Sequence, residues 1–105
     1  MTEPVNSQLL ADIKNYLNIT WDDDATDRKI SGLIEDGIVY LDLKRGAPAD
    51  YTVPGLPRTL LKDYCRYARD SALDVFENNY QALLLGMRSQ SEVTQYVESA
   101  KPAGG

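Results

Sequence analysis

The chain has 105 residues, a formal net charge of −5 and a pI near 4.5, and this length suits one domain that buries a single core. The acidic balance disfavours generic binding to nucleic-acid phosphates, because such binding needs a basic surface. The lone Cys65 excludes an intrachain disulfide and indicates a reducing compartment, and we expect neither a secretory signal nor a membrane span.

The first predicted helix begins at Ser7, a residue type that caps helix N-termini well, and runs to about Leu17. A helix this short is marginal in isolation, so its apolar side is expected to dock on the rest of the domain. Ile19 and Trp21, in the connection that follows, are expected to tuck into the core.

Four aspartates crowd the start of the second predicted helix, where carboxylates suit the positive end of the helix dipole. They are Asp22, Asp23, Asp24 and Asp27. A calcium loop is the alternative, but its template requires Gly at the sixth position and Glu at the twelfth. Counted from Asp22, these positions hold Asp27 and Leu33, so the pattern favours a helix start.

The second predicted helix covers residues 25–43, since apolar residues recur there at helical spacing. Gly37 lies on the apolar face. Because glycine costs a helix about 1 kcal/mol relative to alanine, we expect the close approach of another helix to explain it. Val39 and Leu43 lie off this face, and are either isolated surface residues or part of a contact with another chain. Basic residues and then Gly46 end the helix.

A long loop is predicted over residues 44–56, which are rich in proline and glycine. Connections of this length are uncommon in small domains unless they have a function. Tyr51 and Val53 are apolar for a loop, so they either fold back on the core or are kept for a partner. The second alternative makes them a candidate partner-contact loop.

The longest predicted element is a central helix over residues 57–85. Pro57 suits its first position, and Gly86 suits a left-handed C-terminal cap. Asn78 and Asn79 are its weak point, where a bend or break is expected if there is one. Wrapping the segment at about 100° per residue gives one broad, mostly apolar face. That face comprises Leu60, Leu61, Tyr64, Ala68, Ser71, Ala72, Val75, Ala82 and Leu83.

Two charged flanks border this apolar face. The basic flank comprises Arg58, Lys62, Arg66 and Arg69, and the acidic flank comprises Asp63, Asp70, Asp74 and Glu77. Either the flanks are the solvated outside of a core helix, or the basic flank of one copy faces the acidic flank of the next. The second alternative is a head-to-tail contact of the kind that closes into rings, so all eight are candidate inter-subunit residues.

The pattern weakens after Gly86. Residues 88–98 form either a short helix opened by a capping box at Ser89 or a short strand, and we favour the helix. Residues 99–105 are expected to form a flexible tail.

The predicted fold class is therefore all-α. We expect a single domain over residues 1–105, with an ordered core at about 7–98, built as a small bundle of about four helices. The crossing of the second and third helices is expected to bury Leu33, Ile34, Tyr64, Ala68 and Val75.

Few residues in this chain are suited to catalysis or metal binding. Histidine, the commonest general base and metal ligand, is absent, and one cysteine cannot hold zinc without it. The glycines before the tail stand apart, so no phosphate-binding loop is predicted. We predict no catalytic, cofactor or metal site and no enzymatic activity, whereas the seven tyrosines suit contact surfaces.

Three segments, taken together, resemble the head–tail connector (adaptor) proteins of long-tailed bacteriophages and related prophages. They are LLADIKNYLNI followed by DDDATD, then KISGLIEDGIVYLDL, and finally PRTLLKDYCRYARDSALDVFENNYQALLLGM. The resemblance covers about residues 7–87, and each segment is mainly a packing pattern that is specific only in combination. The chain from Arg88 onward is less typical of the family.

The resemblance implies a small helical subunit that assembles into a ring, usually a dodecamer, beneath the portal at the head vertex of the virion. The ring would extend the channel for the genome without sequence-specific DNA binding, and would offer a platform to the next head-completion (stopper) or tail protein. The resemblance also implies assembly in the host cytoplasm, and it implies that the protein needs no cofactor. The resemblance is also compatible with isolated subunits that stay monomeric until a portal templates the ring.

An alternative from another class is a small helical nucleic-acid-binding or regulatory phage protein. Its basic residues Arg58, Lys62, Arg66 and Arg69 would then track a nucleic-acid backbone. The net charge argues against this alternative.

Overall fold

The computed structural model describes the backbone of residues 7–100 and the side chains of residues 7–93. This part of the chain forms four helices: α1 (Ser7–Tyr16), α2 (Asp24–Arg45), α3 (Leu56–Arg69) and α4 (Leu73–Ala100). The predicted all-α bundle of four helices is therefore confirmed. Of the predicted tail, residues 101–105 lie outside the described residues.

The two ends of α2 follow the predicted start and stop signals. Asp23 is the N-cap, and its carboxylate accepts a hydrogen bond of 2.9 Å from the Thr26 backbone N–H. Gly46 adopts a left-handed conformation with φ of 85°, and its N–H donates to the Asp42 carbonyl oxygen at 2.9 Å. The aspartate cluster thus opens a helix, as the pattern predicted.

The predicted continuous helix over residues 57–85 is wrong. The chain leaves helical geometry at Asp70–Ala72, where Ser71 has a left-handed φ of 56°, and not at the two asparagines. The Ala72 N–H donates to the Tyr67 carbonyl oxygen at 2.8 Å, which closes the corner between α3 and α4. Helix α4 then runs through Gly86, so this glycine is no cap and the strand alternative after it is also wrong.

The corner at Ser71 changes which residues of α4 point inward. Phe76 is fully buried at the centre of the bundle, whereas Val75 is 42% exposed and Leu83 is 46% exposed. The expected core crossing is confirmed for Ile34 and Tyr64, which are buried, and is wrong for Val75. Helical phase counted from α3 does not continue into α4, because the three corner residues lie outside both helices.

An aromatic cluster around Phe76 joins α2, α3 and α4. The Phe76 ring stacks on Tyr80 with centroids 4.7 Å apart, and meets Tyr64 edge-on at 5.7 Å. Tyr40 and Tyr67 complete the cluster at 6.2 Å and 5.9 Å from Phe76. Aromatic pairs at such distances add stabilisation beyond the area they bury.

Close contact between α2 and α3 explains Gly37. A Cβ atom added there would lie 2.7 Å from Leu61 Cδ1 and 2.8 Å from Tyr64 Cδ1. The expected close approach of a second helix is therefore confirmed. Cys65 is fully buried in the same layer, and burial raises the pKa of its thiol to about 12.

Helix α1 docks through an ion pair as well as through its apolar side. Lys14 is buried, and its Nζ lies 2.7 Å from Asp27 Oδ1 and 3.3 Å from Asp22 Oδ1. Ile19 is buried as expected, but Trp21 is 50% exposed, so the expectation that it enters the core is wrong.

Candidate assembly surface

The basic flank of α3 is largely occupied within the subunit. Arg58 Nη2 lies 3.6 Å from Asp12 Oδ2 on α1. Arg69 Nη1 donates to the Leu17 carbonyl oxygen at 3.3 Å. Both ends of the flank therefore hold α1 and its C-terminal turn against α3, so neither residue is a freely available inter-subunit cation.

The middle of the basic flank lies over tyrosine rings. Lys62 Nζ is 5.8 Å from the centroid of the Tyr16 ring, and the Arg66 guanidinium is 4.9 Å from that of Tyr67. Both distances are within the range of cation–π attraction. Arg66 stays exposed, and of the four basic residues it remains the one best placed to meet another chain.

Asp63 does not lie on an outward acidic flank. It is buried, and its Oδ1 accepts a short hydrogen bond from the Tyr16 hydroxyl. That hydrogen bond is the main reason why the pKa of Tyr16 is raised. Burial, and then hydrogen bonding to Asp63, raises the pKa of Tyr80 to about 12. Asp63 therefore joins α1, α3 and α4 inside one subunit and does not lie on the exposed acidic flank where it was predicted.

The other three acidic residues lie beyond the end of α3. Asp70 is the C-cap residue of α3, and Asp74 is in the first turn of α4. Glu77 Oε2 is 3.8 Å from Lys44 Nζ at the end of α2. The corner at Ser71 separates these residues from the basic flank, so the two flanks predicted along one helix do not exist as continuous surfaces.

The candidate partner-contact loop is anchored at its centre. Tyr51 is buried, and its hydroxyl donates to Asp42 Oδ1 at 2.7 Å. The Ala49 N–H donates to the same carboxylate oxygen at 3.2 Å. Burial, followed by this hydrogen bond, raises the pKa of Tyr51. Tyr51 thus takes the first of the two alternatives, folding back on the core, while Val53 stays 49% exposed.

Exposed apolar side chains are concentrated on two helices. Six of the nine large apolar residues exposed in the described part of the chain lie on α2 and α4, and α3 contributes none. Those six are Val39, Leu43, Val75, Leu83, Leu85 and Val93. These exposed apolar side chains make α2 and α4 the candidate helices for contacts with other chains.

The outward side of α2 carries the most exposed apolar pair. Val39 is 61% exposed and Leu43, one turn later, is 74% exposed. With these two we define the α2 face, whose members recur at helical spacing along the outward side. The α2 face comprises Arg28, Gly32, Glu35, Asp36, Val39 and Leu43.

The outward side of α4 is apolar or uncharged for most of its length. No charged residue occurs between Glu77 and Arg88, which is unusual for an exposed helix. Leu85 is 60% exposed and Val93 is 62% exposed. We define the α4 face by Val75, Asn78, Ala82, Leu85, Ser89 and Val93, which recur three or four residues apart.

The sequence predicts the exposed apolar residues of α2 but not those of α4. The position of Val39 and Leu43 off the apolar face of α2 was a usable signal. On α4, by contrast, the assumed continuity with α3 assigned Val75 and Ala82 to the core, although the structure exposes both. The α4 face becomes recognisable only when the corner at Ser71 is known.

Comparisons with protein-family models, with curated proteins and with solved structures find no match. Over residues 7–100, no helix combines the length and the apolarity needed to cross a membrane. Within the described side chains, no three His, Cys, Asp or Glu residues are grouped so that they could hold a metal ion.

Proposed function

We propose that this chain is the subunit of a ring-forming head–tail connector, a structural virion protein that docks beneath the portal. The observation that carries the proposal is the presence of two different exposed faces, one on α2 and one on α4. A subunit with two non-identical adhesive faces assembles head to tail, and head-to-tail contacts close into rings when the rotation allows it.

The three segments that resemble connector proteins correspond to the elements of the bundle. The first contains α1 and the acidic N-cap of α2, and the second covers most of α2. The third runs from Pro57 through the corner at Ser71 to Met87. This agreement supports the proposal, because the segments that carry the likeness also pack together in one core.

The electrostatics of the chain suit a DNA conduit. A net charge of −5 repels DNA phosphates, so a channel lined by such subunits lets the genome slide without gripping it. The partners proposed are further copies of this chain, the portal protein, and the next head-completion or tail protein. Assembly would take place in the host cytoplasm, and the final location would be the head–tail junction of the virion.

Electron microscopy of the concentrated protein, alone and with the portal protein of the same virus, tests the proposal. We expect rings with a central channel, either free or seated on the portal, and a native mass equal to a multiple of the subunit mass. A closed dimer that ignores the portal would overturn the connector assignment and favour a dimeric interaction module.

Binding to DNA at several salt concentrations separates the connector from the alternative of a nucleic-acid-binding regulator. A regulator that neutralises phosphates shows a steep loss of affinity with salt, whereas a connector shows almost no binding at any salt concentration. The internal contacts of Arg58 and Arg69 favour the connector outcome, because both side chains already have partners within the subunit.

A further inference from the structure

We infer that α1 is a releasable arm, which leaves its docking site on α2 and α3 while the other three helices stay packed together. The ion pair of Lys14 is the latch that holds this arm closed. The inference concerns the single subunit and goes beyond the ring proposed above. Three features of the structure support it: an aromatic core that excludes α1, a docking contact centred on a buried cation, and a connection that is free to pivot.

The packing of the bundle leaves α1 at its periphery. Each of the helices α2, α3 and α4 packs on both of the others, whereas α1 packs on α2 and α3 alone within the described part of the chain. The aromatic cluster around Phe76 takes all its rings from α2, α3 and α4. The close approach of α3 to Gly37 lies within the same three helices. Release of α1 therefore leaves both of these contacts in place.

The apolar contacts of α1 are opposed by the conformational entropy that its docking removes. Leu9, Ile13, Leu17 and Ile19 are the buried aliphatic side chains of α1 and the turn after it, and their burial favours the closed arm. Against this, the released residues regain backbone and side-chain freedom, and a helix of 10 residues is marginal in water. Because these two large terms oppose each other, the polar contacts of α1 decide how often the arm opens.

Lys14 is the centre of the polar contacts. Among the described side chains it is the only buried cation, and it lies between Asp27 on α2 and Asp22 in the connection. Removing one member of a buried ion pair leaves the other charge uncompensated, so the closed arm depends on this pair. A surface cleft of about 230 Å³, lined in part by Lys14, Trp21 and Asp22, opens beside the pair. The charges therefore regain water as soon as the arm lifts.

The remaining polar contacts of α1 reach α3. They are the Arg58–Asp12 ion pair, the hydrogen bond of Arg69 to the turn after α1, and the hydrogen bond of Tyr16 to Asp63. All three lie in partly buried surroundings, where water can replace a lost partner. These contacts fix the position of the closed arm, and none of them ties α1 permanently to the core.

The connection between α1 and α2 contains a short pivot at residues 20–22. The turn before it is closed: Asn18 is left-handed with φ of 62°, and the Ile19 N–H donates to the Lys14 carbonyl oxygen at 2.8 Å. Asp23 caps α2 directly after it. Residues 20–22 themselves are exposed, and the described chain makes no backbone–backbone hydrogen bond there. A few residues at the end of an element suffice as a hinge, so α1 and its turn can move as one body.

Amide hydrogen exchange of the full native chain tests the inference. We expect the Leu17 and Ile19 amides to be protected about a hundredfold less than the Ile34 and Tyr64 amides, because the arm opens without global unfolding. Low concentrations of urea should accelerate exchange in α1 only weakly, since releasing the arm exposes little surface, and should accelerate exchange in α2 and α3 strongly. Equal protection and equal urea dependence in all the helices would overturn the inference.

Removal of the latch gives a second test. Lys14→Ala should accelerate exchange of the α1 amides by about tenfold or more, while the amides at the centre of α2 and α3 keep their protection. Lys29→Ala removes the same charge from an exposed position on α2 and is the matched control. An equal loss of protection throughout the Lys14→Ala variant would show that α1 is part of the global unfolding unit, and would overturn the inference.

Limited proteolysis with chymotrypsin gives an independent readout at the pivot. Trp21 is the only tryptophan in the chain, and a protease must pull several residues around it into an extended conformation before it can cut. We expect the first cut after Trp21, a persistent fragment that contains α2, α3 and α4, and a cutting rate about tenfold higher in Lys14→Ala. First cuts inside α2 or α3, or an unchanged rate in Lys14→Ala, would contradict the releasable arm.

Discussion

The Tyr16 hydroxyl donates a hydrogen bond to the buried carboxylate of Asp63, which joins α1 to α3 across 47 residues of sequence. A hydrogen bond to a carboxylate contributes more than one between neutral groups. The sequence predicts that α1 docks on the rest of the domain, but this contact was missed because Asp63 was assigned to a surface flank.

Tyr16→Phe should therefore destabilise the monomer. We expect a loss of about 1–2 kcal/mol in urea unfolding, because the Asp63 carboxylate loses one of its hydrogen-bond donors while remaining buried. Tyr40→Phe is the matched control, since the buried Tyr40 hydroxyl has no well-formed hydrogen bond in the described part of the chain. A loss of equal size in both variants would indicate that ring packing, and not the hydrogen bond, is responsible.

Stability should fall at alkaline pH through buried tyrosines. Burial, and then the charge of Glu77, raises the pKa of Tyr40 from 10.0 to about 12. A tyrosine whose folded pKa is raised contributes stability that is complete below the unfolded pKa and is lost as pH rises through the folded pKa. Urea unfolding from pH 9 to about pH 12 should thus show declining stability, with a shallower decline in Tyr40→Phe. Identical slopes would contradict the role of Tyr40.

Three glycines inside helices should respond to alanine in opposite directions. Gly37→Ala should destabilise the monomer by about 1–3 kcal/mol, because the added methyl overlaps Leu61 and Tyr64. Gly32→Ala and Gly86→Ala should stabilise it by up to about 1 kcal/mol, since helix propensity improves in open space. Thermal or urea unfolding of all three variants measures this, and a neutral Gly37→Ala would show that the α2–α3 contact is looser than the structure has it.

The corner between α3 and α4 should be sensitive to the residue type at position 71. Ser71→Val forces a β-branched side chain into a left-handed conformation, and we expect a loss of about 1–3 kcal/mol. Asn79→Val, at an exposed helical position, should change stability by less than about 0.5 kcal/mol. If Ser71→Val were as harmless as its control, the chain would have to pass the corner in another conformation.

The sequence was informative wherever a local rule decided the structure. The Asp23 and Gly46 caps follow from chemistry within a few residues, and a glycine on the apolar face at Gly37 indicated that another helix comes close, so all three were predictable. The corner at Ser71 was not, since no proline or glycine marks it. The corner allows Phe76 to be buried against α2 and α3. This is a tertiary effect, and intrinsic helix propensities do not predict it.

The candidate interface was less predictable than the helix ends, because it too depends on tertiary packing. Arg58 and Arg69 were correctly placed on one flank of α3, but their partners Asp12 and Leu17 come from α1. A helical projection shows which side chains share a face and does not show which other helix covers that face. The exposed surface therefore had to be read from the packed bundle.

The anchored Tyr51 has a consequence for the speed of assembly. By donating a hydrogen bond to Asp42, it divides one long connection into two short spans on either side of a residue that is tethered to the core. Association that needs a prior conformational change is slower than the docking of preformed surfaces. A subunit whose longest loop is tethered to the core before encounter can therefore add to a growing ring without first folding that loop, and collision frequency, rather than folding of the loop, would limit its incorporation.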